Sequence, residues 1–174
     1  VDGEFLFEGQ KVNREYGKMG KSLKNMVTPD EMYDAFGADT FRLYELSGGP
    51  LESSRPWSTR DVVGMQRFLQ RLWRNLVDED TGEPTVVDRP ADDETRRLVA
   101  RTVAGVGEDL DALHANTAIA KLIELNNHLT KAAAPVAREV AEPLVQLLGI
   151  VAPHIGEELW AKLGHDTSVV WAPF

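Results

Sequence analysis

Lys18-Met19-Gly20-Lys21-Ser22 places two ammonium groups three residues apart, within a stretch from Gly17 to Asn25 that holds no acidic side chain. A lysine ammonium is a compact point charge suited to phosphate oxygens. A loop bearing two of them can close on a triphosphate. Where pyrophosphate departs, negative charge grows on the leaving group, so a lysine there stabilises the transition state more than the ground state. Lys18 and Lys21 are the charges this chemistry needs, and Met19, Gly20 and Ser22 complete the loop. The ending Gly20-Lys21-Ser22 imitates a P-loop, but that motif requires glycine where Glu15 stands. No apolar strand leads directly into the loop either. Taken by themselves, the five residues also fit a solvated lysine-rich turn.

Arg60, Arg67, Arg71 and Arg74 form the second set, the basic residues of 57–77, where Asp61 is the only acid. At 100° per residue they fall within an arc of about 60° on a helix. Met65, Phe68, Leu69, Leu72 and Leu76 centre on the opposite face. Such a guanidinium line can meet nucleic-acid phosphates, contacts that position without reading sequence. It can equally be the ordinary solvated face of an amphipathic helix.

The elements that would position these groups are mainly helical. Phe5-Leu6-Phe7 reads as a short strand or hairpin edge. Thr28-Pro29-Asp30-Glu31 starts a helix: Thr28 caps, Pro29 suits the first position, Glu31 completes a capping box, and Gly37 ends it. A second short helix runs from Asp39 to Leu46. Residues 47–59, rich in Gly, Ser and Pro, read as a linker. Ser58 or Thr59 then caps the arginine-bearing helix. After an acidic loop, Asp92-Asp93-Glu94 opens another helix at its positive dipole end, with a stripe from Leu98 to Leu113. A further helix carries Ile119, Leu122, Leu125 and Leu129. Pro143 is expected to open the next, and Pro153 a last short one ended by Gly164. Helices at this spacing give an antiparallel bundle over 51–174, preceded by a strand, loop and short-helix segment over 1–50.

Composition sets limits. Of 174 residues, 43% are hydrophobic, there is no cysteine, and the formal net charge is −9. Disulfides and thiolate metal sites are therefore excluded. No apolar run approaches the roughly 18 residues of a membrane helix. The acidic balance argues weakly against nucleic acid, but residues 78–110 carry ten acids against four basic residues, which leaves the 57–77 stripe locally basic. The N-terminus begins mid-pattern, as expected of a piece of a longer protein, and the expected home is a reducing cytoplasm. No metal-ligand spacing occurs. His154 is expected to cap or pack. Asn116, Asn126 and Asn127 should tie helices together, and Trp73, Trp160 and Trp171 should lie in the core or at its edge. Glu157 and Glu158 read as helix-start acids.

Lys18 to Asn25 resembles the Lys-Met-Ser-Lys-Ser signature of class I aminoacyl-tRNA synthetases. Pro29-Asp30 and Tyr33 to Arg42 are similar to the segment after that signature in the subgroup for branched aliphatic amino acids. Asn116 to Ala120, Ala152 to Trp160 and Trp171-Ala172-Pro173 resemble motifs of that subgroup's helical bundle. The run Leu43-Tyr44-Glu45, Gly49-Pro50-Leu51-Glu52, Pro56 to Thr59 and Arg67-Phe68-Leu69 looks like the leucine-specific branch, with valine, isoleucine and methionine enzymes as alternatives. Gly20 departs from the usual serine, which removes a hydroxyl from the loop.

The resemblance implies a C-terminal fragment of a monomeric ligase. That ligase would form leucyl-adenylate from leucine and ATP with Mg²⁺, then transfer leucine to tRNA(Leu). Lys21 would stabilise the pyrophosphate side of the transition state, and Lys18 would assist loop closure. The chain has no His-Ile-Gly-His motif, so leucine and ATP would be held by a domain outside it, and the fragment alone should be inactive. A non-catalytic helical RNA-binding or interaction module is the reading from a different class.

Overall fold

The computed structural model describes residues 5–13, 15 and 17–174. It opens on a hairpin, β1 (Phe5–Phe7) and β2 (Gln10–Val12), paired antiparallel with Phe5 opposite Val12. Seven α-helices follow among the described residues: α1 (Pro29–Phe36), α2 (Ala38–Ser47), α3 (Thr59–Leu76), α4 (Asp93–Asp111), α5 (Ala115–Ala132), α6 (Arg138–Val151) and α7 (Pro153–Lys162). The mainly helical class read from the sequence therefore holds.

Local chemistry explains most boundaries. The Thr28 side chain accepts from Glu31 N, and Glu31 returns the bond to Thr28 N, so both halves of the capping box form around Pro29. Gly37 turns the chain at φ +83, a left-handed value open to glycine. Asp92 caps α4 by accepting from Thr95 N, and that bond holds its carboxyl below the ordinary carboxylate range. Ser58 sits at the start of α3 but its side chain makes no cap.

The core is one cluster. Phe68, Leu72 and Leu76 of α3, Ile119, Leu122 and Leu125 of α5, Leu144 and Leu148 of α6, and Leu159 of α7 are almost fully buried together. Leu43 of α2 joins them with no exposed surface. The helix before the 47–59 linker is thus built into the bundle. Across α3 and α5, Asn75 Nδ2 donates to Asn126 Oδ1 at 2.8 Å and to Thr130 Oγ1 at 2.9 Å.

Several expectations are corrected. Pro143 does not open α6: it lies inside, five residues after Arg138. Pro143 lacks the N–H that would reach the Glu139 carbonyl, and the helix nonetheless runs through it because Val140, Ala141, Leu144 and Val145 on either side are buried. The chain before it is fixed by a bridge in which Val87 N donates to Val136 O and Arg138 N to Val87 O. Of the three asparagines, only Asn126 bonds across helices; Asn127 is exposed. Trp160 is buried and stacks on His165 at 3.7 Å, but Trp171 is 80% exposed. Glu157 is no helix-start acid: it accepts from Ser168 Oγ and Val169 N and so pins the C-terminal turn to α7.

Candidate functional site

The lysine loop is a short excursion fixed at both ends. Lys21–Leu23 forms one 3₁₀ turn, closed by Leu23 N donating to Gly20 O. Lys24 takes a left-handed φ of +50, and its N–H returns to Lys21 O. Gly20 N donates to the Asn25 side-chain oxygen at 2.9 Å, which draws the two ends of the turn together. The α1 capping box begins three residues after Asn25. Lys18, Lys21 and Ser22 are exposed, and Met19 is 46% exposed. The backbone thus holds the loop while its ammonium groups face solvent.

Lys18 also lines a cleft of about 1020 Å³. Its other wall runs from Glu45 at the end of α2 through Gly48 and Gly49 to Arg55 and Trp57. Arg55 shapes that wall. Its guanidinium lies 4.2 Å from the Tyr44 ring centroid, donates to Tyr44 O, and comes within 3.7 Å of Glu45. A Cβ at Gly48 would overlap this guanidinium at 1.1 Å. Tyr44 packs edge-on against Trp57, and its hydroxyl accepts from Ser58 N at 3.0 Å. The sequence does not reveal this wall, because Arg55 and Tyr44 lie eleven residues apart with no periodic signal joining them.

Gly20 is not demanded by geometry. Its φ of −167 is extended backbone that any residue adopts, and a Cβ there would meet only Ser22 Oγ, at 4.0 Å. Gly20→Ser should therefore fold without strain, leaving the unfolding midpoint of the chain within about 2 °C, consistent with the small effect of surface substitutions.

The arginine helix presents its four guanidiniums unequally. Arg60, Arg67 and Arg74 are exposed and Arg71 is half-buried, while Val62, Phe68, Leu69, Leu72 and Leu76 are buried. Arg74 pairs with Glu79 at 3.0 Å, so the acidic loop already engages one end of the line. From Arg60 to Arg74 the row spans roughly 21 Å, at 1.5 Å per residue. Among the described residues, no group of three or more His, Asp or Glu side chains is placed to hold a metal. The loop's charged groups are ammoniums rather than carboxylates, so it brings Mg²⁺ no anionic ligand.

The relatives agree with this architecture. Residues 92–174 match the family described as the anticodon-binding domain of tRNA ligase. Over 99% of its length the chain is 61% identical to a leucine–tRNA ligase of Saccharopolyspora erythraea and 60% identical to one of Streptomyces griseus. Over 97% of its length it is 59% identical to that of Bifidobacterium adolescentis. It spans only 17–18% of the length of these relatives. Among solved structures, it is similar to the LeuRS of Agrobacterium radiobacter, determined in a ternary complex with tRNA and LeuAMS. There the TM-score is 0.74 at 27% identity, over 90% of this chain and 22% of that one. Sequence and fold together show that the chain matches a stretch of leucine–tRNA ligases along nearly its whole length, and that residues 92–174 match the anticodon-binding domain of tRNA ligases.

Proposed function

We propose that this segment serves a full-length leucine–tRNA ligase in two ways. Residues 1–50 supply the lysine loop to the nucleotide site, and residues 51–174 hold tRNA(Leu) by its backbone. In the ligase the leucine carboxylate attacks the α-phosphate of ATP; the bond from that phosphorus to the bridging oxygen breaks, and pyrophosphate leaves with the electron pair. Lys21 faces the departing phosphates, and Lys18 draws the loop over them. The 3′-terminal hydroxyl of the tRNA then attacks the leucyl carbonyl and AMP departs. Mg²⁺ bound with ATP would offset the charge of its phosphates, beside the positive charge that Lys18 and Lys21 supply. The work is positioning plus electrostatics. The ligase acts as a monomer in the cytoplasm. No helix among the described residues is long and apolar enough to cross a membrane.

The observation that carries this reading is the 61% identity to a leucine–tRNA ligase over 99% of the chain, combined with two exposed lysines, Lys21 on a backbone-locked turn and Lys18 just before it. It requires that the isolated chain give no leucine-dependent pyrophosphate exchange, because this reading assigns leucine binding to the rest of the ligase. Exchange by the chain alone would overturn the division of labour.

The bundle's role is read from salt dependence. Removing one cation from a phosphate should flatten the slope of log affinity against log salt by about 0.7–0.9. An Arg67→Ala, Arg71→Ala double variant should therefore reduce the tRNA slope by roughly 1.4–1.8. An unchanged slope would mark the arginines as a plain solvated face. Arg74, engaged by Glu79, should contribute less than either.

A further inference from the structure

Between α6 and α7 the chain breaks at Ala152-Pro153, and the break leaves backbone groups without local partners. Pro153 has no N–H, Ala152 has no side-chain oxygen to cap with, and the N–H groups of His154 and Ile155 are the first free donors of α7. On the other side, the last carbonyls of α6 have no helix to continue into. Four of these groups, the N–H groups of His154 and Ile155 and the carbonyls of Ile150 and Val151, are satisfied from α2, more than a hundred residues earlier. The Asp39 carboxylate accepts from Ile155 N at 2.7 Å and His154 N at 3.3 Å, and His154 Nδ1 lies 2.9 Å from it. One turn along the same face, Arg42 donates from Nε to Val151 O at 3.1 Å and from Nη2 to Ile150 O at 3.5 Å. The anion meets the positive end of α7 and the cation the negative end of α6, so both helix dipoles favour the arrangement.

The other end of α2 is tied to different structure. Glu45 and Leu46 form part of the cleft wall facing Lys18, and Tyr44 holds both Arg55 and the Ser58 N–H where the arginine helix begins. A ten-residue helix about 15 Å long therefore has the α6–α7 break at one end. At its other end it carries the lysine cleft and the origin of α3. We propose that Asp39 and Arg42 are positioning residues: the double cap makes α2 a strut that sets the lysine loop and the arginine helix at a fixed distance and angle to the rest of the bundle. Neither residue touches substrate. Removing either leaves the turn at Lys21 intact, since that turn is closed by Gly20, Asn25 and the Thr28 cap. What changes is the register between the loop and a tRNA held on the bundle.

This inference rests on the function proposed above, and its test separates the two. In the full-length ligase carrying this segment, Asp39→Ala and Arg42→Gln should lower kcat for tRNA charging by about 10- to 100-fold, the scale of a small misplacement remote from the chemistry. KM for tRNA should stay within threefold, because the arginine face is untouched, and tRNA-free pyrophosphate exchange should stay within threefold as well. Arg42 is exposed, so its variant keeps the test open if Asp39→Ala does not fold. Arg42→Lys, which retains one donor for the α6 carbonyls, should recover most of the loss. A merely structural role would lower exchange and charging in parallel, and that outcome overturns the proposal, as does unchanged charging. Lys21→Ala run alongside distinguishes the failures: normal exchange in that control defeats the loop assignment, whereas slowed exchange there with unaltered charging in the α2 variants defeats the strut alone.

Discussion

In the full-length ligase, Lys21→Ala should slow leucyl-adenylate formation by about 10²- to 10³-fold, the usual cost of one lost transition-state electrostatic donor. Rapid-quench measurement of adenylate gives this rate directly. Leucine affinity should barely move, since the side chain acts on charge that develops only as pyrophosphate departs. ATP affinity should fall by less than the rate does, for the same reason. Lys18→Ala should be milder, because Lys18 sits along the cleft wall and outside the closed turn. The turn makes the expectation sharp: Lys21 heads a 3₁₀ turn whose two ends are joined through Gly20 and Asn25, so truncating its side chain leaves the backbone bonds in place. A near-normal adenylate rate in a correctly folded variant would remove Lys21 from the chemistry.

What could be read beforehand follows from how each feature is encoded. The capping box of α1, the acidic start of α4 at Asp92 and the proline at the head of α7 are local: their partners lie within four residues, so residue types suffice. The arginine arc and its buried counterface follow from helical periodicity, which the core respects at Phe68, Leu72 and Leu76. Pro143 misled because propensity places proline at a helix start, while the burial of Val140 and Leu144 keeps one helix on both sides of it. Trp171 misled because its type suggests burial, yet the C-terminal turn holds to the bundle by Val169 and leaves the indole outside. The cap on α7 was invisible for a different reason. Asp39 and Ile155 stand 116 residues apart, and no pattern in one chain says which distant carboxylate will face an uncapped helix end. The cleft beside Lys18 is hidden from the sequence for the same cause, being assembled from a loop, the end of α2 and a linker that meet only in three dimensions.

Two glycine substitutions of the same size should move stability in opposite directions. Gly156 lies where α7 crosses α6. A Cβ built there would stand 2.6 Å from Gly149 Cα and 3.2 Å from Gly149 N, backbone that cannot swing aside as a side chain can. Gly149 is itself hemmed in, since its own Cβ would come 3.1 Å from Val169 Cγ1. One added methyl therefore has to push α6 and α7 apart, although the flanking residues Leu148 and Leu159 are almost fully buried. Gly156→Ala should cost about 3 kcal/mol, the upper end of the range for overpacking. That corresponds to a fall of roughly 6–12 °C in the unfolding midpoint for a chain of this size. Gly107 on α4 is exposed, and a Cβ there meets nothing within 4 Å. Gly107→Ala should gain up to about 1 kcal/mol through helix propensity alone. Thermal unfolding of both variants decides between close backbone packing and simple conformational freedom as the reason for glycine at 156. Equal shifts of the same sign would rule out the close crossing. A midpoint that falls steeply for one and rises for the other would establish close backbone packing at the α6–α7 crossing, placed four residues after Ala152 in the break that Asp39 and Arg42 hold from outside.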